Sequence, residues 1–111
     1  VEISQDEWFN DAKDLIYQWF VYLQKQDTQA FIYVQKKLVK SFKEKTQQFT
    51  GLSVLMFYYQ EAQRQAVANG EYGKVKQINQ IIERILIAEQ KLRSNVSFQA
   101  VAEQFVLHTI F

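Results

Sequence analysis

Three groups of side chains have types and spacings that could do chemistry. Lys36, Lys40 and Lys43 stand at i, i+4 and i+7, which on a helix would line three ammonium groups along one face for contact with phosphates. Asp6, Glu7, Asp11 and Asp14 could offer oxygens to a hard cation, although carboxylates in the first turns of a helix are also favoured by its dipole. His108 is the only histidine and there is no cysteine, so no His-His or Cys-His set exists to hold zinc, and His108 reads as a surface or packing residue. The sequence has no G-x-x-x-x-G-K-[ST], no G-x-G-x-x-G and no G-x-S-x-G, so it lacks a backbone phosphate cradle and a nucleophile elbow. Asn95-Val96-Ser97 fits a glycosylation acceptor, but the match is short, and the preferred reading is the end of one helix followed by the cap of the next. The residues therefore predict no catalytic site, no metal and no cofactor.

These groups must be placed by a core, and the composition provides for one. The chain has 111 residues, 48% hydrophobic and 15% aromatic, enough apolar area to offset the entropy of ordering one domain. With no proline and only three glycines it has little punctuation for many short strands, so an all-helical domain is expected. No stretch of about 18 apolar residues is present to cross a membrane. Val1 stands where an initiating Met would be, which suggests a segment of a longer chain. The net charge of +1 conceals two blocks: residues 1–24 carry Lys13 against five carboxylates, while residues 25–45 carry six lysines against Asp27 and Glu44. If the two segments pair, the blocks offset each other; otherwise they are solvated faces.

Hydrophobic spacing predicts five helices. Trp8, Ala12, Leu15, Ile16, Trp19 and Leu23 recur at steps of three and four over 5–25, with Ser4 and Glu7 placed for a reciprocal cap. Asp27 or Thr28 starts a second helix, to about 45, carrying Ala30, Phe31, Val34, Leu38 and Phe42. Thr50 caps a third, with Leu52, Leu55, Met56, Tyr59, Ala62 and Ala66, which Asn69-Gly70 ends. A fourth spans 74–94 through Val75, Ile78, Ile82, Ile85 and Leu92, and Ser97 caps a fifth with Phe98, Val101, Ala102, Phe105 and Val106. Two of these helices are apolar on a second side: Ile32 and Tyr33 in the second, Val54, Phe57 and Tyr58 in the third. Such a helix is either central in its own domain, a role open to the third, or covered by a partner.

The carboxyl end carries a further pattern. Ala88-Glu89-Gln90-Lys91-Leu92, then Arg93-Ser94-Asn95-Val96-Ser97, then a helix ending Phe105-Val106-Leu107, resembles the carboxy-terminal segment of bacterial DNA polymerase III delta prime subunits, with Ala88, Leu92, Asn95 and Val96 as the structural motif. Phe31 with Val34-Gln35-Lys36, the segment Lys43 to Gln48, and Tyr58-Tyr59-Gln60-Glu61 are similar to helices of the same domain in Gram-positive members. Ser97 replaces a usual asparagine, Phe98 stands where proline is common, and Gln60-Glu61 replaces a frequent Arg-Asp pair.

The resemblance implies a collar domain, a helical module through which a clamp-loader subunit joins its neighbours in the complex that places the sliding clamp on primed DNA. It further implies a cytoplasmic protein whose partners are the other clamp-loader subunits. No ATP hydrolysis, small-molecule substrate or membrane belongs to this part, and contact with DNA is indirect or weak. The parent is a subunit of a nucleotidyltransferase holoenzyme. The alternative from the residues alone is a helical nucleic-acid-binding module using Lys36, Lys40 and Lys43.

Overall fold

The computed structural model describes residues 2–111, with side chains described from residue 7 onward. Among these residues are five helices and no strand. Helix α1 (Glu2–Gln24) already runs at Glu2, so Ser4 lies within it rather than before it; the Ser4 side chain, like that of Asp6, is outside the described residues. Ala12, Ile16, Trp19 and Leu23 are its buried stripe. The chain reverses through Gln26, in the left-handed region at φ 54°, and the Asp27 carboxylate accepts the Gln29 N–H at 2.9 Å. Buried Trp19 Nε1 donates to the Ala30 carbonyl at 3.2 Å and fixes this return.

Helix α2 is built from three consecutive stretches: Gln29–Tyr33 in α geometry, Val34–Leu38 as a π turn, and Val39–Ser41 again in α geometry. Its buried positions, Ala30, Val34, Leu38 and Phe42, keep a strict spacing of four. At 3.6 residues per turn such a stripe drifts by about 40° per step, and a wider π turn with i→i+5 bonds takes up the drift so that all four stay on the core. The helix ends at Ser41, and Phe42 (φ −112°, ψ 74°) is out of helical geometry, which corrects the expected end near 45.

Helix α3 (Lys45–Ala68) begins five residues before the expected Thr50 cap. The Gln47 carboxamide reaches back to accept the N–H groups of Lys43 and Glu44, both at 3.1 Å, satisfying donors that a helix start leaves free. Thr50 is already inside and donates its hydroxyl to the Thr46 carbonyl at 2.9 Å. Asn69 and Gly70 (φ 72°) close the helix as the sequence predicts, with the Glu71 N–H donating to the Ala66 carbonyl. Helix α4 (Tyr72–Arg93) is followed by Ser94 and then by Asn95, left-handed at φ 68°, and helix α5 (Phe98–Ile110) is capped by Ser97 Oγ, which accepts the Ala100 N–H at 3.2 Å. The sequence Asn95-Val96-Ser97 is thus accounted for as a helix end and a cap.

The helices alternate in direction. Helices α1, α3, α4 and α5 form the four sides of a bundle, each packed on the next, with α5 closing back onto α1; α2 lies over the groove between α1 and α5. The core is made of Ile16, Trp19, Leu38, Phe42, Leu52, Leu55, Tyr59, Ile85, Leu92 and Val106, all fully buried, each contributing about 1.5–3 kcal/mol if aliphatic. Trp19 meets Phe105 of α5 with ring centroids 5.8 Å apart, and Phe42 meets Phe98 at 6.1 Å. The third helix is not the central one: Ser53, Phe57, Gln60 and Arg64 face out. The bundle measures 44 × 28 × 25 Å.

Candidate functional site

The apolar side chains expected at a partner surface fall on opposite flanks of α1. Leu15 and Tyr22 stand on one flank of that helix and Lys13, Tyr17 and Phe20 on the other, about half a turn away by helical spacing. On the α3 flank, Tyr58 donates its hydroxyl to the Lys13 carbonyl at 3.3 Å. Its ring meets those of Tyr17 at 5.3 Å, Phe20 at 5.6 Å and Phe57 at 5.9 Å. A groove between α1 and α3 is lined by Phe9, Lys13, Phe49, Val54, Phe57 and Tyr58. Phe57 is 54% exposed, Val54 is half-buried, and the Lys13 ammonium lies over the Phe9 ring at 5.1 Å. Burial pushes the Tyr58 phenol above its ordinary pKa, with the charges of Asp14 and Tyr17 adding to the shift.

On the α2 flank, Tyr33 donates its hydroxyl to the Leu15 carbonyl at 3.0 Å and packs edge-on against Tyr22 at 5.6 Å. Burial, and then Tyr22, push its pKa up to about 12. Ile32 is 38% exposed. Tyr33 and Tyr58 therefore each tie α1 to a neighbouring helix through a backbone carbonyl. The structure brings Val54, Phe57 and Tyr58 together and places Ile32 and Tyr33 elsewhere.

The lysines do not form the expected line. Lys36 lies in the π turn and Lys40 in the short α stretch after it, while Lys43 is in the connector beyond Phe42, its N–H held by Gln47. Lys36 and Lys40 keep the four-residue spacing that the wider turn holds in line, but the early helix end takes Lys43 out of the i, i+4, i+7 register. All three are exposed, as are Glu7, Asp11 and Asp14 on α1. The ion pairs among the described residues are Arg64 with Glu61 at 2.7 Å and Arg93 with Glu89 at 3.9 Å, so among those residues no ion pair joins the two charge blocks. Among the described residues no group of three His, Asp or Glu side chains could hold a metal ion, and no helix is long and apolar enough to cross a membrane.

The carboxyl-terminal motif is a structural joint. Ala88 and Leu92 are buried in the core. The Asn95 carboxamide oxygen accepts a hydrogen bond from the Lys45 ammonium, and the Val96 N–H donates to the Lys91 carbonyl at 3.1 Å. The Arg93 guanidinium lies 5.7 Å from the centre of the Phe49 ring. These contacts fasten the α4–α5 turn to the start of α3.

A second groove, between α4 and α5, was not apparent from the sequence. It is lined by Arg84, Ile87, Lys91, Gln104 and His108 above buried Ala88, Val101 and Phe105. The spacing of Arg84, Ile87 and Lys91 at i, i+3 and i+7 already puts them on one side of α4, but only the docking of α5 makes that side a groove.

No known family profile matches the chain, and no solved structure matches it. Its sequence is similar to the DNA polymerase III subunit delta prime of Bacillus subtilis (strain 168), 27% identical over 124 aligned residues that take in 96% of this chain and 37% of the relative. The chain thus spans little more than a third of the length of that relative.

Proposed function

We propose that this chain is the collar-type helical domain of a clamp-loader delta prime subunit of DNA polymerase III, and that it works by association with neighbouring subunits rather than by chemistry of its own. The observation that carries this reading is the alignment, which runs through 96% of the chain. The all-helical bundle agrees with it. Supporting it further, exposed Phe57 and Ile32 extend the apolar surface beyond what the core uses, as association surfaces require. On this reading Val54, Phe57 and Ile32 meet neighbours, Tyr58 and Tyr33 hold those side chains in place from behind, and the protein acts in the cytoplasm at the loading of the sliding clamp onto primed DNA.

The test is to mix the chain with the matching helical domains of the other clamp-loader subunits and follow mass by light scattering, then repeat with Phe57→Ser and Ile32→Ser. Complex formation weakened by either change supports the reading. Failure to associate under conditions where the intact loader assembles overturns it.

A further inference from the structure

We infer that the groove between α4 and α5 is a docking site for an acidic amphipathic helix of a partner protein, one that carries two carboxylates about two turns apart with an apolar side chain between them. This face is separate from Val54, Phe57 and Ile32, so docking here stands whether or not those side chains meet clamp-loader subunits. The groove, about 270 Å³, has an apolar floor of buried Ala88, Val101 and Phe105, with Ile87, 49% exposed, beside it. Its rim is cationic. Arg84 and Lys91, both half-buried, stand at i and i+7 on α4, roughly 10 Å apart along the axis at about 1.5 Å per residue, and His108 and Gln104 edge the α5 side.

Nothing negative answers these charges within the groove. No carboxylate lines it, and among the described residues neither Arg84 nor Lys91 has one within ion-pair distance. The group that Lys91 meets across the groove is the neutral Gln104 carboxamide. Two carboxylates of the same helices are engaged elsewhere: Glu89 pairs with Arg93 at 3.9 Å, and Glu103 accepts hydrogen bonds from Gln35 of α2 at 3.1 Å and from Gln99 at 3.0 Å. Half-buried cations beside an apolar strip are screened less by water than exposed ones, so an incoming carboxylate gains more there.

Shape selects the occupant. Both walls are helices whose backbone bonds are internal, so an extended segment has no edge to pair with, whereas a third helix can lay a ridge of side chains into the groove. On such a helix, positions i, i+4 and i+7 share one face. Carboxylates at i and i+7 would reach Arg84 and Lys91 while the apolar residue between them enters over Ala88. A nucleic-acid backbone would meet the cations and leave the apolar floor uncovered, and a flat anionic membrane surface does not reach a recessed floor.

The experiment is fluorescence anisotropy of a labelled, alanine-based helical peptide with Glu at i and i+7 and Leu at i+4, titrated with the chain to millimolar concentration at low salt. The expected result is saturable binding that falls at least about tenfold when both peptide Glu residues become Gln or when its Leu becomes Ser, and that weakens as salt rises. In the chain, Ile87→Ser should weaken binding without altering any charge. Arg84→Glu with Lys91→Glu should lose the acidic peptide and gain the same peptide with Lys at i and i+7, a reversal that an unfolded variant cannot give. Circular dichroism checks the fold, and Arg84→Gln with Lys91→Gln, read by loss of the acidic peptide, replaces the reversed pair if it does not fold. Absence of binding by the native chain, binding indifferent to Arg84 and Lys91, or a folded reversed variant that fails to gain the lysine peptide would each overturn the proposal. So would a single-stranded oligonucleotide that binds the native chain more tightly than the peptide and loses binding in the reversed variant.

Discussion

The Phe42 ring lies against the bare face of Gly51: a Cβ at position 51 would sit 3.1 Å from Phe42 Cε1 and 3.5 Å from Ile16 Cδ1. Three helical segments converge there, and the missing side chain is what lets α3 approach the end of α2. Elsewhere in a helix interior, Gly→Ala gains about 1 kcal/mol. Here the neighbouring ring is fully buried and would have to shift within the core, and overpacking of this kind costs about 1–3 kcal/mol. Gly51→Ala should lower stability to urea and Gly51→Val should lower it further. In a Phe42→Ala background Gly51→Ala should become stabilising, and a double-mutant cycle measures the change of sign.

Tyr59 has a buried hydroxyl without a partner among the described residues. Tyr59→Phe should raise stability by about 1–3 kcal/mol, the cost of an unsatisfied buried donor. Burial also raises the pKa values of Tyr59 and Tyr33 above the ordinary 10. Below pH 10 this has no effect on stability. From 10 to about 12, the folded value for Tyr33, the unfolded chain releases protons that the folded chain keeps, so stability falls as pH rises. Tyr59→Phe should make that alkaline loss shallower in pH-dependent denaturation.

Asn95 holds a left-handed backbone and accepts the Lys45 ammonium. Asn95→Val should cost about 1–2 kcal/mol from the backbone alone, whereas Asn95→Gly keeps the conformation and loses only the exposed hydrogen bond. Thermal denaturation of the pair separates the two contributions. If glycine were as damaging as valine, the side-chain bond and not the backbone would be the reason for asparagine here.

The π turn of α2 invites a deletion. Removing Lys37, exposed in that turn, should restore ordinary α geometry, in which Leu38 follows Val34 by three residues or about 300°, and so turn Leu38 and Phe42 about 60° off the buried stripe. Both would pack less well against the core, and unfolding should occur at lower denaturant. Lys37→Ala, which keeps the residue count, should be nearly neutral.

The helix ends that the sequence could place were those written in a few adjacent residues. Asn69-Gly70, Asn95 and Ser97 act through their own backbone and side chains, and the structure puts each where local chemistry requires. The third helix starts ahead of Thr50 because its start signal is reversed: Gln47 reaches back to Glu44, while Thr50, a good cap by type, bonds instead to the turn before it. The four-residue spacing of Ala30, Val34, Leu38 and Phe42 does carry the π turn, but a steps-of-three-and-four template passes over it. Val54, Phe57 and Tyr58 could be grouped from one helix alone. Their separation from Ile32 and Tyr33, and the existence of the Arg84–His108 groove, depend on which helices become neighbours, and no spacing within a single helix encodes that.

The alternation of direction through an odd number of helices leaves residues 2 and 111 at opposite poles of the bundle. Tension applied between them acts along the helix axes, so the interlocked side chains of α1 and α5, Trp19 against Phe105 among them, would resist by sliding past one another rather than by peeling apart one contact at a time. A domain strung in this way can transmit pull from one pole to the other before it yields.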